Sequence, residues 1–283
     1  MLMVTIKAPA KINLTLEVLR KRSDGYHEIR SILQTIDLYD TLQIEAGDGI
    51  SFQCDLPEWS AEKSLASKAV SLIREAAGGT KGAVVRIEKQ IPLLSGLGGD
   101  SSDAAALLHG LNELWDLKLP PEKLAEMASK LGSDVVFFLQ GGTALASGRG
   151  EKITPLPPMG KMWVALVVPD VTVATGKTGR MYASLKPSSF TDGAITQNVV
   201  ADLNQGKPFK PAMLYNVFES VTFEDFNMQR LYFQPMLKMG ALHVHLAGSG
   251  PTLFSMFTEK DRAEEIYTKC KSQGMKTYLA QTI

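Results

Sequence analysis

The feature that most constrains the fold is residues 92–115, PLLSGLGGDSSDAAALLHGLNELW. Gly96, Gly98 and Gly99 lead into Ser101 and Ser102, after which Ala104, Leu107, Leu108, Leu111 and Trp115 fall at i, i+3, i+4, i+7 and i+11. That spacing lays one apolar stripe along a helix. Asp100, Ser101 and Ser102 are all suited to the N-cap, and Asp103 suits a first turn facing the positive end of the helix dipole. A glycine-rich turn running into a helix leaves several backbone N–H groups without intrahelical partners. Such a concave array of donors suits an anion, phosphate in particular. The same residues also read as a plain connection ahead of a core helix. A P-loop would end in Gly-Lys-Ser/Thr, and no lysine lies between Gly96 and Ser102. The dinucleotide fingerprint needs a sixth-position glycine, where this chain has Ser101.

The 283 residues, 45% hydrophobic and 21% charged, suit one large or two modest globular domains with a sizeable core. Thirty basic residues balance thirty acidic ones, so no global field favours nucleic acid. Cys54 and Cys270 are far apart and lack metal-ligand spacing, which fits a reducing cytoplasm. Lysines and a proline stand where a signal peptide would have its apolar run, and no apolar run is long enough to span a bilayer.

Residues 6–18 alternate cleanly. Ile6, Ala8, Ala10, Ile12, Leu14, Leu16 and Val18 face one way, Lys7, Pro9, Lys11, Asn13, Thr15 and Glu17 the other. Period two predicts a half-buried strand. Lys11 and Asn13 then share its second face, either as a solvated surface or as a cation and an amide presented to a ligand. Asp24-Gly25 is a turn signal, with Tyr26 and His27 directly after it. An aromatic and an imidazole there can stack on and hydrogen-bond a flat base. Ile29, Ile32, Leu33 and Ile36 give a short amphipathic pattern. Strands are expected over 42–52 and 83–87, and helices over 64–77 and from Pro120-Pro121 to Gly132. Asp134, just before the apolar run Val135 to Leu139, is either an N-cap or a hydroxyl-activating base. Residues 141–150 read as hairpins, and Leu156-Pro157-Pro158-Met159-Gly160 as the linker. Further on come a buried strand at 163–168 and helices at 178–185 and 216–223. A strand–glycine turn–strand unit at 242–257 is followed by a helix at 259–273 and a strand at 275–279. His243 and His245 would share one strand face there. This half reads as α+β.

Pro9-Ala10-Lys11-Ile12-Asn13-Leu14, residues 92–105 and Gly248-Ser249-Gly250-Pro251-Thr252 together resemble the three motifs of the GHMP kinases, in order and across nearly the whole chain. Five more segments resemble the branch whose acceptor is a cytidylylated methylerythritol. They are Asp24-Gly25-Tyr26-His27-Glu28 with Ser31-Ile32-Leu33-Gln34, Gly132-Ser133-Asp134-Val135, Gly141-Gly142-Thr143-Ala144, Gly148-Arg149-Gly150-Glu151, and Asn216-Val217-Phe218-Glu219. The resemblance implies an α+β fold of two domains with a cleft between them. The first, ribosomal-S5-like, would cover 1–157, and the second, ferredoxin-like α/β, 158–283. It implies a small-molecule kinase of non-mevalonate isoprenoid synthesis, passing the ATP γ-phosphoryl group to a 2-hydroxyl. Such an enzyme would be cytoplasmic, a monomer or homodimer, and independent of nucleic acid and membrane.

The implied roles fall on residues already singled out. Pro92, Leu93, Leu94, Ser95, Gly96, Leu97, Gly98, Gly99, Asp100, Ser101 and Ser102 would hold the ATP phosphates. Ser102, or Ser101, would reach a Mg²⁺ ion bridging them. Asp134 would be the base and Lys11 the cation that keeps it ionised. Asn13 would orient the hydroxyl, and Tyr26 and His27 would meet the cytidine. Tyr182 matches the family's base-stacking aromatic, after a stretch from Val173 longer than the family pattern. Asp100 replaces a third glycine; a carboxylate there is unfavourable unless it points away or helps hold the metal. The alternatives are a GHMP kinase with another small acceptor and a non-catalytic nucleotide-binding protein. Tyr26-His27 argues against the first, and Lys11 with Asp134 against the second. Asp225-Phe226-Asn227 is not the metal-binding triplet of a protein kinase, and no His-Arg-Asp is present.

Overall fold

The computed structural model describes residues 3–171, 176–222 and 226–283. Part of the long stretch before Tyr182, residue 223 of the expected 216–223 helix and Asp225 fall outside them. The chain forms two units, one of Met1–Ala10, Leu38–Leu93 and Gly98–Gly141, the other of Lys11–Asp37, Leu94–Leu97 and Gly142–Ile283. Strands β1 (Met3–Lys21) and β2 (His27–Gly47) contribute to both.

In the first unit, β2 pairs antiparallel with β4 (Gly82–Glu88), and β3 (Ile50–Cys54) pairs parallel with β4. Helices α1 (Ala66–Ala76), α2 (Gly99–Leu114), α3 (Pro121–Leu131) and α4 (Ser133–Phe138) pack on one another. Their apolar stripes supply the core: Val70 and Ile73 from α1, Leu107, Leu108 and Leu111 from α2, Leu124 from α3, Phe137 from α4. Each such side chain contributes about 1.5–3 kcal/mol by leaving water. At Gly110 a β-carbon would lie 2.4 Å from Ile44 Cδ1, so α2 seats on the sheet as closely as glycine permits.

In the second unit, β2 pairs antiparallel with β5 (Thr143–Gly148), which continues into β6 (Lys152–Pro155). β8 (Tyr215–Asn216) pairs parallel with β1, setting Asn216 opposite Leu16. A second sheet has the order β11-β7-β10-β9 among the described residues. Its strands are β7 (Trp163–Val168), β9 (His245–Leu246), β10 (Leu253–Phe257) and β11 (Lys276–Gln281). Helix α10 (Lys260–Ser272) covers it through Ala263, Ile266 and Cys270. The unit also contains α5 (Lys177–Ser184), α6 (Ala194–Asn204), α7 (Glu219–Thr222), α8 (Phe226–Met228) and α9 (Gln234–Lys238), a π-helical turn joining the last two. Ile283 closes this unit: its carbonyl accepts from Gln34 Nε2 at 2.7 Å and Thr35 Oγ1 at 3.0 Å, and its N–H donates to the Thr35 carbonyl.

Four expectations change. Ile29, Ile32, Leu33 and Ile36 belong to a strand, because Ser31, Gln34 and Thr35 between them are buried too. The expected helix at 216 is first a strand, β8, and turns helical only at Glu219. His243 lies outside β9 with φ of +54°, so it shares no strand face with His245. The N-cap of α2 is Gly98, in the left-handed region at φ +78°, not Asp100, Ser101 or Ser102. The helix begins early because glycine alone makes that turn without strain.

Candidate active site

In the second unit, three separated stretches meet. Lys11 and Asn13 sit side by side on β1, as period two requires, but their face is buried and not solvated: Lys11 is 4% exposed and Asn13 5%. Lys11 Nζ donates to Asn13 Oδ1 at 2.8 Å, and Asn13 Nδ2 to Ser31 Oγ at 2.8 Å. The Lys11 N–H donates to the Leu97 carbonyl, which ties β1 to the glycine stretch. The Thr252 N–H donates to the Ser95 carbonyl, which ties the second glycine turn to it as well. A β-carbon on Gly96, at φ +86°, would fall 2.3 Å from the Ala247 carbonyl oxygen. One on Gly248, at φ +57°, would fall 3.1 Å from Lys11 Nζ and 3.2 Å from the Gly96 carbonyl oxygen. Close backbone approach therefore requires glycine at 96, and the positive φ favours it at 248.

Asn216 and Glu219 hold that second turn. Asn216 Nδ2 donates to the carbonyls of Leu246 and Gly248, each at 2.7 Å, while its Oδ1 accepts from the Phe218 N–H. Glu219 Oε1 accepts from the Leu246 N–H at 2.9 Å and lies 3.0 Å from His245 Nδ1. His245 is thus engaged by a carboxylate, and no group of three His, Cys, Asp or Glu able to hold a metal exists among the described residues.

The aromatic residues of this unit sort differently from their order in sequence. His27 stacks on Tyr182, with ring centroids 5.1 Å apart and planes 19° apart. Phe218 meets Tyr182 edge-on at 4.9 Å, and Phe190 meets His27 edge-on at 5.9 Å. Tyr26 is 57% exposed, with the Arg149 guanidinium 4.8 Å over its ring. Asp24 Oδ1 accepts the Tyr26 N–H and fixes the turn before it. Partial burial, then the nearby Lys21 charge, lower the His27 pKa. Thr178 Oγ1 shares a hydrogen bond of 3.0 Å with Ser249 Oγ, linking the start of α5, which carries Tyr182, to the second glycine turn.

In the first unit, both Asp100 oxygens accept the Leu65 N–H, at 3.0 and 3.1 Å, at the start of α1. Leu65, the N-cap of α1, has no polar side chain of its own, so Asp100 serves that helix end. Ser102 is buried, and its Oγ has no hydrogen-bond partner among the described residues. Asp134 occupies the first turn of α4.

A buried charge cluster lies beside the glycine stretch. Lys89 Nζ donates to Asp40 Oδ2 and, at 2.7 Å, to Asp103 Oδ2. Asp40 Oδ1 also accepts the N–H groups of Gln90 and Ile91, at 2.7 and 2.8 Å. Burial works against the Lys89 ammonium, but the two carboxylates outweigh it and raise its pKa. Burial pushes the Asp103 carboxyl up to about 8; Lys89 opposes that shift and Asp40 adds to it. This cluster was not apparent in the sequence. Its members are scattered in the chain, and only the paired charge of a lysine and aspartates within strand and helix patterns marks them.

The GHMP kinases N terminal domain family matches residues 64–142, and the GHMP kinases C terminal family residues 230–276. A 4-diphosphocytidyl-2-C-methyl-D-erythritol kinase of Dehalococcoides mccartyi (strain ATCC BAA-2266 / KCTC 15142 / 195) is 46% identical over 281 residues, covering 99% of both chains. The enzyme of that name from Alkaliphilus metalliredigens is 37% identical, covering 99% of this chain and 96% of its own. Among solved structures, a 4-(cytidine 5'-diphospho)-2C-methyl-D-erythritol kinase superposes with a TM-score of 0.83 at 30% identity, covering 99% of both chains. A homoserine kinase from Cytophaga hutchinsonii, at 0.73 and 19%, shares the fold.

Proposed function

Because the chain belongs to the 4-diphosphocytidyl-2-C-methyl-D-erythritol kinases of the GHMP superfamily, we propose that it passes the γ-phosphoryl group of ATP to the 2-hydroxyl of 4-diphosphocytidyl-2-C-methyl-D-erythritol, giving the 2-phosphate and ADP. The observation that carries this is full-length likeness to enzymes of that name, 46% identical over 281 residues. The reaction is a step of isoprenoid synthesis. Two unpaired thiols, Cys54 and Cys270, support a cytoplasmic setting.

The roles follow from chemistry. Residues 92–102 lead into the N-terminus of α2, whose free N–H groups and dipole suit the ATP phosphates. Asp134 takes the hydroxyl proton; a positioned base supplies about 10²–10⁴-fold. Lys11, held by Asn13, offers a buried ammonium to the charge that grows on the transferring group. Asn13 orients the acceptor hydroxyl. His27 and Tyr182 offer stacking surfaces to the cytosine, and Tyr26, on the turn before His27, offers a third. Ser102 fits a Mg²⁺ ion, since its Oγ is buried and unpartnered among the described residues. When bound, that ion neutralises charge on the β- and γ-phosphates.

The test offers ATP with the cytidylylated acceptor, homoserine, galactose and mevalonate in turn. Phosphate is expected on the first alone, and preference for any other rejects the reading. Asp134→Asn is expected to lose turnover while still binding ATP; unchanged turnover removes Asp134 from the mechanism.

A further inference from the structure

We propose that Asn216 and Glu219 are positioning residues for phosphoryl transfer, acting through the turn at Gly248 on the Lys11 ammonium. The inference rests on the kinase reading above. Asn216 is buried, and both of its donors and its acceptor are committed to backbone groups, so its amide has one orientation. Its two donors grip the carbonyls on either side of Ala247. Glu219 grips the adjoining Leu246 N–H with the oxygen that also meets His245. As an ionised carboxylate only accepts, His245 carries its proton on Nδ1 in that bond. Residues 245–248 are thereby pinned from one side by two side chains.

The same turn reaches the Lys11 ammonium. Gly248 approaches Lys11 so closely that a β-carbon would stand 3.1 Å from Nζ, and 3.4 Å from Asn13 Oδ1, the acceptor of the Lys11 bond. Gly96 lies against Ala247 and Gly250 of the same turn. A shift of this turn therefore moves the wall against which both the lysine and the glycine stretch are set. Neither Asn216 nor Glu219 needs to touch substrate to do this.

The test compares wild type, Asn216→Ala, Glu219→Ala and Glu219→Gln, with kcat expressed per folded molecule after active-fraction correction. Displacing a reacting group by about 1 Å costs up to about a hundredfold, so kcat should fall by about ten- to a hundredfold in both alanine variants. KM for the acceptor should stay near wild type, and Glu219→Gln, which keeps the accepting oxygen, should restore turnover. A merely structural role would lower Tm and leave kcat per folded molecule intact. An Asn216→Ala enzyme within about twofold of wild-type kcat overturns the proposal, as does a Glu219→Gln enzyme as slow as Glu219→Ala. If Asn216→Ala does not fold, the Glu219 pair decides. A wild-type enzyme inactive on the cytidylylated acceptor would reject the kinase reading instead.

Discussion

His27 and Tyr182 lie face to face, 5.1 Å between centroids, with Phe218 supporting Tyr182 from its edge. On the proposed reading, these two stacked rings, backed by a buried phenyl, offer a face to the cytosine. Replacing Tyr182 by leucine keeps apolar volume and removes the π-face. A base–aromatic stack is worth about 1–3 kcal/mol, so KM for the cytidylylated acceptor should rise about tenfold or more. KM for ATP should not change. Initial rates with each substrate varied in turn check both.

The same imidazole sets a pH dependence. Burial and Lys21 hold the His27 pKa below its ordinary value, so the unfolded chain takes up this proton first as pH falls. Stability is untouched above the ordinary imidazole range, declines as pH drops through that range, and levels off below the folded-state value. Wild type should therefore lose more Tm than His27→Asn between neutral pH and about pH 5. Differential scanning calorimetry across that window is the measurement.

Gly96→Ala should lower ATP affinity. The new methyl would meet the Ala247 and Gly250 carbonyl oxygens at 2.3 and 2.9 Å, and φ +86° adds strain of about 1–3 kcal/mol. Backbone cannot move aside as a side chain would, so the glycine stretch must shift. A rise in ATP Kd of about tenfold or more, by calorimetric titration, is expected from strain of that size.

How much of this was legible beforehand depends on where the signal lies. Period two placed Lys11 beside Asn13 correctly, because alternation is a property of the backbone itself. It did not tell that both strand faces are buried, since Thr15 and Glu17 are polar yet wholly enclosed. The same blindness made Ile29 to Ile36 read as amphipathic, although Ser31, Gln34 and Thr35 between them are buried. Motif spacing gave the glycine turns, but not the pins that hold them: Asn216 and Glu219 act on residues far along the chain. Tyr26 and His27, adjacent in sequence, were expected to work as a pair. Tyr26 ends the turn and His27 begins β2, where its ring stacks on Tyr182.

Lys89→Met should be severely destabilising. It leaves Asp40 and Asp103 facing each other, both buried, with no cation between them. Breaking a buried pair from one side costs about 3–5 kcal/mol. A lowered urea midpoint at unchanged slope is the expected signature.

Asp100→Ala should cost about 1 kcal/mol, the typical worth of a helix cap, because the Leu65 N–H at the start of α1 loses its acceptor. Asp100→Asn should recover most of it, as the amide oxygen still accepts. Urea titration of the three proteins measures the difference. If the carboxylate serves the helix and not the metal, both variants keep wild-type Mg²⁺ dependence of turnover.

The bonds from Gln34 and Thr35 to Ile283 cross separations of 249 and 248 residues. During translation the seat for residue 283 is made 248 residues before its occupant and then waits. At about 5–20 residues per second, the ribosome leaves it vacant for tens of seconds. An early strand is exposed all that time to competing partners, so a nascent chain of this kind has a use for a chaperone over β2.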